Sequence, residues 1–274
     1  MARETTGVNR LTKTFIGIPT GESKDYSLLD LISSFNRIPD EDVEVVFAVT
    51  VSPTKEDKRF LKRVRYAAKL LKHPYQVLEC KVTKVQAGEP WRKVTMNRQL
   101  LRNVFLDGDY DRMLLVGGDN PPSSDVLTIL SNLGVDCALC VSHQRPSQSA
   151  ITGEPIPMLY VPIWTPADVV KAYPDLEPEN RRQVELIYKM RTFLQPVYSI
   201  PDWDKDAVLY GVVGGDGNAL YSRRLLEAVG WVQPDNCGHS EDIHFEMLAL
   251  SMGFTTAALT TYHVRHIDVN GIEY

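Results

Sequence analysis

Cysteine is scarce in this chain, with four in 274 residues, and its placement excludes the usual thiol chemistry. Cys80, Cys137, Cys140 and Cys237 show no paired metal-ligand spacing. Cys137 and Cys140 form a C-x-x-C, but inside an apolar run that reads as a strand rather than at a helix start. All four are therefore expected to be reduced thiols in the core or near the surface, not a redox pair. Long apolar runs are missing too: none approaches the ~20 residues needed to span a bilayer. The amino-terminal MARETTGVNRLTK is polar and lacks the apolar stretch of a secretory signal, so a cytoplasmic location is expected. A net charge of −5 gives no global attraction to nucleic acid. No internal repeat, low-complexity tract or linker interrupts the chain, which suggests one domain with two functional halves. The balance, 43% hydrophobic and 24% charged, is that of a soluble globular chain with material for a full core.

The chain is organised around YDRMLLVGGDNPP, residues 110–122. Arg112–Val116 is a short apolar run with the length and composition of a buried strand. It stops at Gly117, Gly118, Asp119 and Asn120, followed by two prolines. Glycines after a buried strand let the backbone turn and let another group approach it closely. A carboxylate at the carboxyl end of such a strand stands where open α/β sheets bind ligands. Asp119 is thus the leading candidate for holding a metal or a phosphate-linked ligand, although a turn aspartate before a proline has the same local look.

Elsewhere strand and helix patterns alternate. Residues 14–18 read as a first strand, with Pro19, Thr20 and Gly21 turning out of it. Residues 26–35 place Leu28, Leu31, Ile32 and Phe35 on one helical face. Val43–Val51 is a β-branched second strand ending in Ser52. Residues 55–72 are helical, with Lys58, Lys62, Arg65, Lys69 and Lys72 on the face opposite the apolar set. A strand over 75–82, a helix over 96–105, a helix over 123–133 and a strand over 137–141 complete a pattern that argues for a doubly wound, mostly parallel sheet. The second half is less regular. It offers a loop at 142–157, a strand at 158–163, a charged helix within 174–194 and an apolar run at 208–213 broken by GGDGN. A short helix follows at 222–229, then a helix capped by Ser240 and closed by Gly253, then a last strand over 254–261.

Three places share one logic, a strand end or cap bearing reactive groups: Asp119, then Glu241 with Asp242, then His263 and His266. Glu241 and Asp242 stand at a helix amino terminus, whose dipole favours their ionised forms, and capping alone explains one of them. A zinc site made of the late histidines stays open, although no pair of them has the spacing of a known zinc motif. One aspartate with one histidine offers mixed oxygen and nitrogen ligation that suits Mn²⁺ or Mg²⁺ on a diphosphate.

In this order the segments resemble GT-A-fold nucleotide-sugar glycosyltransferases of the family-2-like superfamily. YDRMLLVGGDNPPSSDVL is similar to their strand and DxD segment, with Asp119 matching the last Asp and Gly117 standing where the first usually is. KVTMNRQLLRNVF resembles the basic helix start before that strand, which implies donor-binding roles for Lys93, Asn97 and Arg98. FIGIPT resembles the first strand, whose end cups the nucleotide; Pro19 and Thr20 follow from it, and Ser52 is the counterpart after the second strand. Gly118, Gly214 and Gly215 would let backbone amides approach the donor. HSEDIHFEMLALSMGF is similar to the acidic element that supplies the general base in inverting members, which implies Asp242, with Glu241 beside it. HVRHI looks like the late histidine that completes the metal shell, His266 first and His263 as the alternative.

The resemblance implies a GT-A-like, Rossmann-like sheet flanked by helices. A nucleotide-sugar half would occupy residues 10–122 and an acceptor and catalytic half 123–274. It implies transfer of a sugar from a nucleoside-diphosphate sugar, UDP by preference, to an acceptor hydroxyl, assisted by Mn²⁺ or Mg²⁺ and proceeding with inversion. The Lys58 to Lys72 basic face would suit an anionic acceptor such as DNA, a phospholipid-linked sugar or a charged glycan, though a solvated helix face has the same pattern. Trp203 and Trp231 are candidates for stacking on a sugar or base. Two rivals stand beside this reading. A sugar-nucleotide nucleotidyltransferase would need a richer basic loop than FIGIPTGESK, which has only Gly21 and Lys24. An inactive nucleotide-sugar-binding module would follow from the missing first Asp.

Overall fold

The computed structural model describes residues 13–39, 42–83, 90–142, 163–164, 208–214, 217–232, 241–265 and 267. Its apolar runs become strands: β1 Thr14–Thr20, β2 Val43–Val51, β3 Tyr75–Lys81, β4 Arg112–Val116 and β5 Cys137–Ser142. Between them lie α1 Leu28–Phe35, α2 Lys55–Ala67, α3 Pro90–Asp107 and α4 Val126–Ser131. Later elements are β6 Ile163–Trp164, β7 Val208–Tyr210, β8 Val213–Gly214, β9 Asn218–Ser222, α5 Arg223–Ala228, α6 Glu241–Ser251 and β10 Thr256–Val264. The polar stretch at 143–157, the strand expected over 158–162 and the helix expected within 174–194 fall outside the described residues.

Among the described residues, eight strands form one sheet in the order β3-β2-β1-β4-β9-β5-β10-β7. β1, β2, β3 and β4 pair in parallel, as do β5 and β10, while β9 and β7 run against their neighbours. Side chains alternate across this sheet, as the strand period of two requires. On one face Ile16, Ile18, Val45, Phe47, Val49, Leu114 and Val116 pack with α1, α2 and α4. On the other, Phe15, Val46, Ala48, Met113, Leu115 and Leu139 pack with α3, α5 and α6. Both faces are covered, which explains why β2 reads as a continuous apolar run rather than an alternating one. The expected doubly wound sheet is therefore present, with helices on both sides.

The departures from sequence expectation have local causes. β1 continues through Pro19 and Thr20, which pair with Ala48 and Val49; β4 pairs only as far as Gly17, so proline falls where β1 has a single neighbour. The helix expected from residue 26 is split into a 3₁₀ turn, Glu22–Ser27, and α1. α3 begins at Pro90, six residues before its apolar face, since proline is tolerated at a helix start. The 208–213 run is broken at Gly211, whose φ of 64° lies in the left-handed region. β9 had no place in the sequence reading. It enters antiparallel between β4 and β5 and so sits in the middle of the sheet.

Candidate functional site

The chain leaves β1 towards β2 and β3 on one side, then returns to lay β4 on the other side of β1. The carboxyl ends of β1 and β4 thus flank a topological switch point, the place where open α/β sheets form their ligand crevice. The segment after β1 and the segment after β4 meet there. Ser27 Oγ lies 2.6 Å from the Gly118 carbonyl oxygen and 2.9 Å from that of Lys24, so one hydroxyl ties the two loops together. Lys24 Nζ is ion-paired to Asp119 Oδ2, and Tyr26 Oη donates to the same oxygen at 3.2 Å. Asp119 is 5% exposed, so its charge requires such partners. Gly118 makes room for the lysine: a Cβ there would stand 3.2 Å from Lys24 Cγ and 3.2 Å from Thr20 Oγ1.

The neighbouring strand holds the other side of the loop. Gly117 N donates to the Gly217 carbonyl, and a side chain at 117 would collide with Asn120 Oδ1. Gly217 itself has φ 135°, which disfavours any residue with a Cβ. Past β10, Ile267 N donates to the Asp119 carbonyl at 3.0 Å, and Asn120 Nδ2 donates to the Arg265 carbonyl at 3.5 Å. The end of β10 is thereby fastened to the Asp119 loop. His266 and the side chain of His263 lie outside the described residues; the His263 backbone pairs with Val141 in β10.

Helix α3 connects this crevice to the second acidic element. Asn97, 2% exposed, donates from Nδ2 to Thr50 Oγ1 at 2.8 Å and to the Thr20 carbonyl at 3.4 Å. Its neighbour Arg98 pairs with Glu241, 3.0 Å from Nη1 to Oε1, at the start of α6. Asp242, next in that first turn, is buried at 6% exposure. The Tyr221 hydroxyl nearby is pushed well above its ordinary value, first by burial and then by Cys137, Glu246 and Asp242, with Arg98 acting in the opposite direction.

The sequence candidates are therefore partly gathered. Thr20, Asn97, Gly118 and Asp119 come together at the carboxyl ends of β1 and β4, and Arg98, next to Asn97, is bound to Glu241. Pro19 is half-buried in β1, and Lys93 is half-buried one turn before Asn97. Ser52 is buried just past β2, where its N–H donates to Asp57 Oδ2 at 3.0 Å and its hydroxyl bonds the same carboxylate. Gly214 ends β8, and Gly215 lies outside the described residues. Trp231 is not available to a ligand: it is 2% exposed and stacked on Phe245, with centroids 4.3 Å apart. Trp203 and Cys237 lie outside the described residues, while Cys80, Cys137 and Cys140 are buried free thiols whose titration burial pushes up. Among the described residues no helix is long and apolar enough to cross a membrane.

Lys24 and Tyr26 are the site residues that sequence reasoning missed. The signal was present in the topology, since residues just after β1 must face those just after β4 at a switch point. It bears directly on the expected divalent cation. The acid at 117 is absent, Asp119 Oδ2 is paired with the Lys24 ammonium, and among the described residues no group of three or more His, Cys, Asp or Glu side chains converges. Among the described residues, the cation beside the Asp119 carboxylate is the Lys24 ammonium.

No protein-family model and no curated protein matches the sequence. Solved glycosyltransferase structures are similar to this chain. A fragment of S. aureus TarS, residues 1–349, is 14% identical with a TM-score of 0.49, over 92% of this chain and 59% of that one. The mannosyltransferase PcManGT from Pyrobaculum calidifontis, solved with GDP-Man and Mn²⁺, is 15% identical with a TM-score of 0.48, over 96% and 59%. Glucosyl-3-phosphoglycerate synthase from Mycobacterium tuberculosis, solved with Mn²⁺, UDP and glucosyl-3-phosphoglycerate, is 12% identical with a TM-score of 0.44, over 88% and 65%. The chain spans less than two thirds of each of these proteins.

Proposed function

We propose that this chain is a glycosyltransferase that moves a sugar from a nucleoside-diphosphate sugar to an acceptor hydroxyl. The observation that carries the reading is the switch-point crevice, where Thr20, Asn97, Gly118 and Asp119 stand together at the carboxyl ends of β1 and β4. All four are among the ten residues that the sequence resemblance assigns to the donor, beside Pro19, Ser52, Lys93, Arg98, Gly214 and Gly215. Thr20, Thr50 and Asn97, joined by hydrogen bonds from Asn97, support the nucleoside site from beneath, and Gly118 admits the diphosphate close to backbone. The donor half is residues 10–122 and the acceptor half 123–274.

In the transfer step the acceptor oxygen attacks the anomeric carbon while Asp242 takes its proton. The new bond from carbon to acceptor oxygen forms as the bond from carbon to phosphate oxygen breaks, and the electron pair leaves with the nucleoside diphosphate. A single base opposite the leaving group gives inversion. Glu241, paired with Arg98, is a positioning residue that fixes the first turn of α6 and so the place of Asp242. The exposed Lys58, Lys62, Lys69 and Lys72 on and after α2 suit an anionic acceptor; Arg65 on the same face is already paired with Glu79 at 2.7 Å.

The test is release of nucleoside diphosphate from UDP- and GDP-sugars in the presence of a panel of acceptors. Turnover with one donor is expected, falling by roughly 10²-fold or more in Asp242→Asn while nucleotide binding persists. An unchanged anomeric configuration in the product would remove the single-base step. Consumption of a nucleoside triphosphate with pyrophosphate release would point to the nucleotidyltransferase instead. Tight nucleotide binding with no turnover of any donor would leave a binding module.

A further inference from the structure

The Lys24–Asp119 pair is built rather than incidental. Its carboxylate side is 7% exposed and its lysine side 38% exposed, so the lysine is the end of the pair open to solvent. The lysine belongs to the 3₁₀ turn Glu22–Ser27, whose first bond runs from Lys24 N to the Gly21 carbonyl at 2.9 Å. Ser27 clamps that turn to Gly118, and the missing Cβ of Gly118 leaves the space through which the Lys24 stem passes. Tyr26, from the same turn, donates to the same carboxylate oxygen. Three features of two segments about 95 residues apart therefore converge on placing one ammonium at the switch point. An ammonium carries three donor hydrogens and no acceptor, so a partly exposed one paired on one side still presents donors to an anion on the other.

We propose that Lys24 is the chain's own cation for the donor diphosphate, standing where a divalent ion was expected, so that nucleoside diphosphate binds without metal. This rests on the donor-site reading above. Asp119 is then not a metal ligand: it anchors Lys24 and holds its ammonium against the crevice floor. A divalent ion reaching Asp119 would have to displace the ammonium or sit beside it against charge repulsion. The same lysine faces the diphosphate as its negative charge grows during departure.

The experiment is calorimetric titration with UDP and with GDP, each in EDTA and in Mn²⁺. The proteins are wild type, Lys24→Met, Lys24→Arg and the double variant Lys24→Met/Asp119→Asn, the last removing the uncompensated buried carboxylate if the single variant folds poorly. The expected result is a Kd that changes less than threefold between EDTA and Mn²⁺ in wild type. At least a tenfold loss is expected in Lys24→Met and in the double variant, with affinity retained in Lys24→Arg. Binding that requires Mn²⁺ overturns the inference and leaves the donor site standing. Binding in EDTA that survives both Lys24→Met variants overturns it as well. Absence of UDP and GDP binding in every condition overturns the inference together with the donor-site reading.

Discussion

Arg98 and Glu241 form a buried ion pair, 3.0 Å from Nη1 to Oε1, that joins α3 to the first residue of α6 across the face of the sheet. α3 also holds Asn97 against Thr50 and the Thr20 carbonyl. Two consecutive residues of one helix therefore link the switch-point crevice to the acidic turn that carries Asp242. Removing one partner of a buried pair leaves an uncompensated charge, so Glu241→Leu is expected to cost about 3 kcal/mol in urea denaturation. Arg98→Leu/Glu241→Leu should recover most of that loss. A double variant no more stable than the worse single one would mean that the pair is not the coupling element.

Gly117 and Gly118 are expected to fail differently when given a side chain. At 118 a Cβ meets only the side chains of Lys24 and Thr20, which can shift by a few tenths of an ångström. Gly118→Ala should therefore keep its melting temperature within about 3 °C while weakening UDP or GDP binding by roughly tenfold, because it displaces the ammonium. At 117 a Cβ collides with Asn120 Oδ1 and crowds the Gly217 carbonyl at 3.2 Å. Gly117→Asp, which writes in the acid that the resembling enzymes carry, should lower stability by about 2 kcal/mol and gain no Mn²⁺ binding. A stable Gly117→Asp that binds Mn²⁺ would show that the loop has room for a metal site.

Asp136 supplies a pH dependence. Burial alone would raise its carboxyl, but hydrogen bonds from Arg224, from the Thr255 N–H and hydroxyl and from Ser222 outweigh burial and hold it down at about 2. A carboxyl lowered in the folded state contributes stability that is complete above its unfolded value near 3.8 and is lost as pH falls towards 2. Because Arg224 is largely exposed and screened, the contribution is about 1–2 kcal/mol. Urea midpoints measured between pH 6 and pH 2.5 should fall more steeply for wild type than for Asp136→Asn. Parallel curves would remove Asp136 as the cause.

Asn97 should matter to the crevice more than to the core. Its side-chain amide joins the ends of β1 and β2 through Thr20 and Thr50. Asn97→Ala is expected to cost about 1 kcal/mol of stability, the worth of one buried hydrogen bond, and at least tenfold in nucleoside diphosphate affinity. Loss of stability without loss of affinity would place Asn97 in the scaffold alone.

What the sequence alone determined was local. Val43–Val51 and Arg112–Val116 have the same bounds in the structure as in the apolar pattern, because a strand covered on both faces must be apolar at nearly every position. Alternation of such runs with amphipathic helices was enough to announce a doubly wound sheet, and an abrupt Gly-Gly-Asp at a strand end was enough to single out Asp119. What only the tertiary structure decided was long-range. β9, NALYS, is short and mixed in character, and it becomes a central strand because β4 and β5 bond to its two edges. Trp231 looked free to stack on a ligand and is instead packed against Phe245. Lys24 figured in the sequence only as the single basic residue of FIGIPTGESK, until strand order brought the ends of β1 and β4 together and laid its ammonium on Asp119. Periodicity reports which residues must be buried; which charge meets which is fixed by strand order, and that depends on pairings between segments far apart in the chain.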